Sequence, residues 1–134
     1  MTPTAAYRQL IELVGREFGP GEWVAVTVEK AELFALATGT EELGVHPFLI
    51  LSLLPALLTA VDVPIEAPRM IVNYGLDRLQ SLGTVHPGDR LRARVRLISV
   101  DEISGGLHVK RSAVVENQDG QPVLEAETVS RLVY

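Results

Sequence analysis

One apolar segment near the middle of the chain, residues 48–61, constrains the fold more than any other feature. It reads FLILSLLPALLTAV and contains no charged residue. A transmembrane helix needs about 20 residues, so the segment is too short to cross a membrane and instead predicts a buried helix over residues 46–60. Because a helix without a polar face must be covered on every side, we expect it at the centre of the fold.

The residues before this segment have helical spacing. Residues 4–18 predict an amphipathic helix that ends at a Gly-Pro-Gly step, with one apolar stripe formed by Leu10, Ile11, Val14 and Phe18. Residues 22–26 predict a short strand. A second helix is expected from its cap at Thr27 to Gly39.

From Arg69 onward the apolar period changes to two, which is typical of half-buried strands. Turn signals at Gly105-Gly106 and Asp119-Gly120 separate the later runs. The pattern predicts an antiparallel meander around the apolar helix, and therefore an α+β architecture. Its long strands are expected over residues 69–79, 90–100, 107–117 and 122–133.

Composition excludes several classes of function. The 134 residues suggest one domain, and the absence of cysteine excludes disulfides, thiolate metal sites and a cysteine nucleophile. Lys and Arg number 12 against 17 Asp and Glu, and aromatic residues make up 5%, which argues against a nucleic-acid partner. The start has no basic region followed by an apolar run, so we expect no secretory signal, no membrane partner and a cytoplasmic protein. The mean hydropathy of +0.22 suggests that an oligomer covers apolar surface.

Four segments in a fixed order carry a resemblance to a known family. They are residues 23–39, 45–55, 72–78 and 85–92, which read WVAVTVEKAELFALATG, VHPFLILSLLP, VNYGLDR and VHPGDRLR. On these segments the chain resembles the MaoC-like hydratase/dehydratase family, and within it the nodulation-protein-N-like group. The resemblance implies that residues 1–134 form a single hotdog domain, with an antiparallel sheet wrapped around the central apolar helix and an extra N-terminal helix.

The resemblance also implies a reaction and its partners. Members of the family add water to enoyl thioesters of CoA or acyl carrier protein, or remove it from 3-hydroxyacyl thioesters, and need no cofactor. An Asp and a His five positions apart handle the water as general base and acid. The backbone N–H of a Gly at the start of the central helix holds the thioester oxyanion. Two protomers join, as a homodimer or as a hetero-oligomer with another MaoC-like subunit.

This chain departs from the family pattern at the catalytic segment. Thr40 stands where the family has its Asp, and only a short stretch separates it from the central helix. If Val45-His46-Pro47 matches the family's Val-His-Gly step, Pro47 replaces the Gly and removes the N–H donor. Proline is well tolerated in the first turn of a helix. This alignment predicts a protein that has lost catalysis and that binds an acyl or polyketide-like thioester or serves as a partner subunit.

A second alignment leaves an acid–base pair in place. Glu41 and His46 are also five positions apart, so they match the spacing of the family motif. Under this alignment the missing segment follows His46, and the chain is an active or repurposed hydratase or dehydratase. This second alignment makes Glu41 and His46 the catalytic candidates.

The resemblance suggests four residues for a ligand tunnel, namely Phe48, Ser52, Asn73 and Tyr74. Ser52 has an equally plausible structural role, as a hydroxyl bonded to a carbonyl of its own helix. Three scattered histidines predict no metal site. The arginines at alternating positions could attract CoA phosphates, but a solvated sheet face with cross-strand partners such as Glu125 and Glu127 explains them better. These arginines are Arg90, Arg92, Arg94 and Arg96.

Overall fold

The computed structural model describes residues 2–40 and 44–134 and confirms an α+β architecture. Three helices precede four long antiparallel strands, and two short strands lie between the first two helices. The elements are α1 (Pro3–Ile11), β1 (Glu17–Phe18), β2 (Val24–Ala25), α2 (Val28–Thr38), α3 (Pro47–Thr59), β3 (Met70–Ser81), β4 (Arg90–Ile103), β5 (Gly106–Asn117) and β6 (Pro122–Val133).

The sheet order is β1-β4-β5-β6-β3, with β2 also paired to β4. Only β4, β5 and β6 form a meander, so the prediction of a continuous meander from the first long strand is wrong. The two short strands β1 and β2 occupy the outer edge of β4, and β3 pairs with β6 instead. This order leaves β3 at the edge of the sheet.

The apolar helix α3 packs one face on the sheet. Its residues Leu49, Ile50, Leu54 and Leu57 are buried in a cluster with side chains of β4, β5 and β6. The opposite side of the helix is open, and Phe48 is 58% exposed. The expectation that the chain encloses this helix on every side is therefore wrong for the isolated chain, because the sheet covers only one side.

The first helix is shorter than its apolar spacing suggests. It ends at Ile11, and the chain turns at Gly15, which has a left-handed backbone with φ of 86°. Phe18 then continues as a strand that pairs with Val95 of β4. The predicted helical stripe to Phe18 is wrong, since Ile11 and Val14 are exposed and Leu13 is buried in their place.

The second helix matches its predicted ends. The Thr27 hydroxyl accepts a hydrogen bond from the Lys30 N–H at 3.1 Å, and Gly39 ends the helix with φ of 72°. In the parts of the chain that the structure describes, no helix is long and apolar enough to cross a membrane.

The arginine row of β4 lies on a partly solvated face, as expected, but its carboxylate partners differ from those proposed. Arg92 and Arg94 both reach Glu116 of β5, at 2.9 and 3.2 Å, and Arg96 pairs with Glu17. The reason is the sheet order: β5 is the neighbour of β4, whereas Glu125 and Glu127 lie one strand further away.

Candidate functional site at the central helix

The N-terminus of α3 carries the histidine that the sequence singles out. His46 is the N-cap residue, and its ring Nδ1 accepts a hydrogen bond from the Phe48 N–H at 3.0 Å. The half-buried ring lies between two phenylalanines, with centroids 5.6 Å from Phe34 and 5.2 Å from Phe48. The local sequence therefore uses His46 to begin the helix.

This capping contact limits what His46 can do chemically. An Nδ1 that accepts a hydrogen bond carries no proton, so the neutral ring holds its proton on Nε2. In this geometry neither nitrogen of the neutral ring is available as a base unless the ring gives up the cap. The second catalytic candidate, Glu41, lies outside the described residues.

Two neighbouring positions differ from the catalytic pattern that the resemblance implies. Pro47 is the first residue of α3, and proline has no N–H to offer an oxyanion at that place. Thr40 follows Gly39 and contributes a hydroxyl, which lies 3.1 Å from the Thr38 hydroxyl. A threonine hydroxyl at this position cannot replace an ionised carboxylate as a base.

Two cavities border α3 on the side away from His46. The larger, about 560 Å³, lies between α1, the segment after α3 and the sheet. The smaller, about 230 Å³, lies between α3, β3 and β6. Both are lined by Pro55, Leu58, Asn73 and Arg111, so the two spaces share a wall.

Polar side chains interrupt this otherwise apolar wall; we call Asn73, Arg111, Thr128 and Ser130 the Arg111 cluster. All four line the smaller cavity. Arg111 of β5 is paired in register with Thr128 of β6, and Ser130 is paired with Asn73 of β3. The cluster thus crosses three neighbouring strands on the face that packs against α3.

Arg111 is an unusual residue for that face. Its guanidinium donates to the Ser130 hydroxyl at 3.3 Å, and burial lowers the pKa of Arg111. None of the ion pairs within residues 2–40 and 44–134 includes it. In the same part of the chain, the buried Arg111 Nε and Thr128 Oγ1 have no hydrogen-bond partner.

The site residues predicted from the sequence do not include Arg111, Thr128 or Ser130, although the sequence carries a signal for Arg111. The core-facing positions of β5 are otherwise apolar, and the arginine breaks their alternation. Those positions are Leu107, Val109, Ala113 and Val115. A charged residue at a core-facing position of a strand is a candidate for a functional role.

The four residues suggested for a tunnel are not brought together. Asn73 lines both cavities, whereas Phe48, Ser52 and Tyr74 line neither. The Ser52 hydroxyl donates to the Leu49 carbonyl at 2.6 Å, a backbone contact of the kind that its structural role predicts.

Tyr74 lies on the other face of the sheet. The Arg131 guanidinium lies 4.0 Å from its ring centroid, and the His108 ring meets it edge-on at 5.6 Å. His46 and His108 each contact an aromatic ring, whereas His86 lies in the exposed turn before β4. Within the described ranges, no group of three or more His, Asp or Glu residues could hold a metal ion.

Comparison with solved structures identifies the fold. The chain is similar to a MaoC-like dehydratase from Rhodospirillum rubrum, with a TM-score of 0.69 and 16% identity over 90% of this chain and 93% of that one. It is also similar to the HadBC (3R-hydroxyacyl-ACP dehydratase) complex from Mycobacterium tuberculosis, with a TM-score of 0.67 and 24% identity over 89% and 96% of the two chains. The expected hotdog fold is confirmed.

Sequence relatives decide the family, although no family model matches the chain. Nodulation protein N from Rhizobium leguminosarum bv. viciae is 31% identical, and the match covers 90% of this chain and 87% of the relative. The chain belongs to the MaoC-like dehydratase family. This MaoC-like protein is also 29% identical to 3-hydroxyacyl-thioester dehydratase Z from Mycobacterium tuberculosis, over 92% of the chain and 93% of the relative.

The length of this last alignment is informative. It runs over 142 positions, yet it takes in only 92% of a chain of 134 residues. The mycobacterial relative therefore has residues inside the matched region that have no counterpart in this MaoC-like protein.

Proposed function

We propose that this MaoC-like protein has lost hydratase and dehydratase activity, and that it binds an acyl or polyketide-like thioester or serves as a partner subunit. The observation that carries the proposal is Pro47 at the first position of α3. The reaction builds negative charge on the thioester oxygen, and a donor removed from that place costs several kcal/mol of transition-state stabilisation. Proline there has no hydrogen to donate.

Two further features support the loss of catalysis. The Nδ1 of His46 is occupied by the Phe48 N–H, and Thr40 supplies a hydroxyl in place of the family's carboxylate. The relatives' additional residues inside the matched region agree with a shortened catalytic segment. A chain with these changes keeps the fold and lacks the groups that activate water.

The cavities and the relatives support a binding or partner role. The larger cavity has the size of an ordinary small-molecule site, for which about 300–1,000 Å³ is typical. One similar structure is a complex of a 3R-hydroxyacyl-ACP dehydratase, so a hotdog chain of this kind can work beside another subunit. We infer that residues 1–134 act as one cytoplasmic hotdog domain, either as a homodimer or beside a catalytic MaoC-like subunit.

Hydration of enoyl-CoA tests the proposal. Purified protein is incubated with crotonyl-CoA and with a longer enoyl-CoA, and loss of the enoyl absorbance is followed. We expect no rate above the uncatalysed one. In parallel, calorimetry measures binding of saturated acyl-CoA of the same lengths, which we expect to bind. Robust hydration of either substrate would overturn the proposal.

The alternative is an active enzyme that uses Glu41 and His46. Its favouring observation is the position of His46, which lies at the N-terminus of the central helix, half-buried between two aromatic rings. If this alternative holds, the wild type hydrates enoyl-CoA, and His46→Asn abolishes turnover while keeping a capping side chain. Equal activity of the wild type and His46→Asn would refute it.

A further inference from the structure

We infer that the Arg111 cluster binds the carboxylate of an aliphatic ligand whose hydrocarbon chain lies in the larger cavity. The site borders the second half of α3. Its helix neighbour Pro55 is nine residues beyond His46, or roughly 13 Å along the axis at 1.5 Å per residue. The inference shares the larger cavity with the proposed binding role, but it uses none of the residues that argue for the loss of catalysis.

The charge of Arg111 is the first argument. A largely buried cation is costly unless an anion compensates it, and within residues 2–40 and 44–134 the guanidinium donates only to the Ser130 hydroxyl. The larger cavity has one carboxylate on its wall among the described residues, Asp62, which is exposed and forms no ion pair with Arg111. The site thus has a positive charge that a bound anion would balance.

The unused hydrogen-bonding atoms beside Arg111 are the second argument. Thr128 is 7% exposed, and its hydroxyl has no partner in the described part of the chain. Arg111 Nε is likewise buried and unpaired, and the amide of Asn73 lines the same space. Guanidinium, hydroxyl and amide groups all donate hydrogen bonds, and a carboxylate accepts several at once.

The size and lining of the larger cavity are the third argument. Its wall is mostly aliphatic, and it meets the cluster at Arg111 and Asn73. A ligand with a carboxylate at one end and a flexible hydrocarbon chain at the other would match both parts. The apolar wall includes Leu10, Phe18, Leu58, Val61 and Val109.

Ligand titration separates the charge from the chain. Calorimetry at pH 8 compares decanoate with 1-decanol, which has the same chain length and no charge. We expect decanoate to bind at least about tenfold more tightly, because hydrogen bonds to a charged group contribute more than neutral ones. Equal affinities, or no binding of decanoate, would overturn the inference.

Matched arginine variants locate the carboxylate. Arg111→Met keeps an apolar stem and removes the charge, and we expect it to weaken decanoate binding at least about tenfold with little effect on 1-decanol. The affinity of Arg111→Lys for decanoate should lie between those of the wild type and Arg111→Met. Arg131→Met is the control, because Arg131 lies on the opposite face of the sheet over Tyr74. Equal losses in Arg111→Met and Arg131→Met would contradict the assignment.

A second measurement does not depend on any variant. In the wild type, decanoate should shift the Arg111 Nε–H resonance in a ¹H–¹⁵N spectrum, and 1-decanol should not. Without ligand, Arg111→Met should melt at the same or a higher temperature than the wild type, because it removes an uncompensated buried charge. A lower melting temperature together with loss of oligomer would instead assign Arg111 to a subunit contact, and would overturn the site.

The carboxylate could belong to a free fatty acid or to the far end of a dicarboxylic acyl thioester. Adipoyl-CoA and hexanoyl-CoA differ by that terminal carboxylate alone, so titrations with the pair distinguish the sources. If adipoyl-CoA binds more tightly than hexanoyl-CoA and Arg111→Met abolishes the difference, the carboxylate belongs to a dicarboxylic acyl thioester. This part of the experiment rests on the proposed function. Equal binding of the two, with decanoate still preferred over 1-decanol, assigns the free acid.

Discussion

At the residue scale, His46 holds a position where two roles compete. As an N-cap it must present an unprotonated Nδ1 to the Phe48 N–H, and as a general acid or base it must exchange a proton. Pro47 makes the cap more valuable, since the helix starts on a residue without an N–H and the next donor is that of Phe48. The ring contacts with Phe34 and Phe48 hold the imidazole in the capping orientation.

The cap can be measured as stability. We expect His46→Ala to lower the free energy of unfolding by about 1–2 kcal/mol, because it removes both the cap and the ring contacts. His46→Asn should recover about 1 kcal/mol of that loss, because asparagine is a good N-cap residue without an imidazole. Urea denaturation of the two variants and the wild type gives the comparison. If Ala and Asn prove equally destabilising, the capping role is wrong.

Asp89 gives the chain a pH-dependent contact in the turn before β4. Its carboxylate accepts hydrogen bonds from the His86 N–H and the Gln118 side chain, both at 2.9 Å, and these lower the pKa of Asp89 below its usual 3.8. A carboxyl whose pKa is lower in the folded chain stabilises the fold above the unfolded value. That stabilisation is lost as the pH falls through the folded value.

We therefore expect the stability difference between the wild type and Asp89→Ala to be constant from pH 7 to about pH 5 and to shrink as the pH falls below 3.8. Denaturant melts at several pH values measure the difference. Asp119→Ala removes a carboxylate from the neighbouring turn and is the control, since its side chain accepts no hydrogen bond within the described residues. A difference for Asp89→Ala that grows in acid would contradict the assignment.

At the element scale, the hairpin between β4 and β5 depends on two adjacent glycines for different reasons. Gly105 has φ of 79°, a left-handed conformation, with open space where a Cβ would stand. Gly106 has an ordinary backbone, but a Cβ there would collide with the Leu132 carbonyl oxygen of β6. The first glycine serves the turn, and the second lets two strands approach.

The two positions should respond differently to substitution. Gly105→Ala should cost about 1 kcal/mol, and Gly105→Asn less, because asparagine tolerates the left-handed region. Gly106→Ala should cost roughly 3 kcal/mol, because a rigid backbone atom must move away. Chemical denaturation of the three variants tests this order. A cost for Gly106→Ala no larger than that for Gly105→Ala would refute the close-approach argument.

Sequence patterns predicted the elements whose ends depend on local chemistry. Thr27 and Gly39 define α2 because a hydroxyl cap and a left-handed glycine act within a few residues.

The patterns failed where distant parts of the chain compete. Phe18 fits a helical stripe, yet pairing with Val95 of β4 makes it a strand, and no local signal reveals that partner. Arg111 became a site candidate only when the sheet placed it beside Thr128 and Ser130.

At the scale of the whole molecule, the isolated chain has one long strand, β3, at the edge of its sheet. β3 pairs only with β6 among the described strands, and all but one of its residues are exposed. Met70, Ile71 and Tyr74 are each more than half exposed. A long apolar edge strand tends to pair with another chain. The same edge adjoins the open side of α3, because both line the smaller cavity. We therefore expect β3 to be the seam with a second MaoC-like subunit.

A charge on this strand tests the seam. Val72 is 39% exposed on β3, and Val72→Lys should weaken self-association, or association with a catalytic partner, at least about tenfold, because a lysine on an edge strand opposes pairing. Leu36→Lys is the matched control, since Leu36 is 82% exposed and apolar but lies on α2. Sedimentation velocity over a range of protein concentrations gives the dissociation constant of the assembly for each variant. If Leu36→Lys dissociates the assembly and Val72→Lys does not, the subunits meet through α2, and the open side of α3 needs another cover.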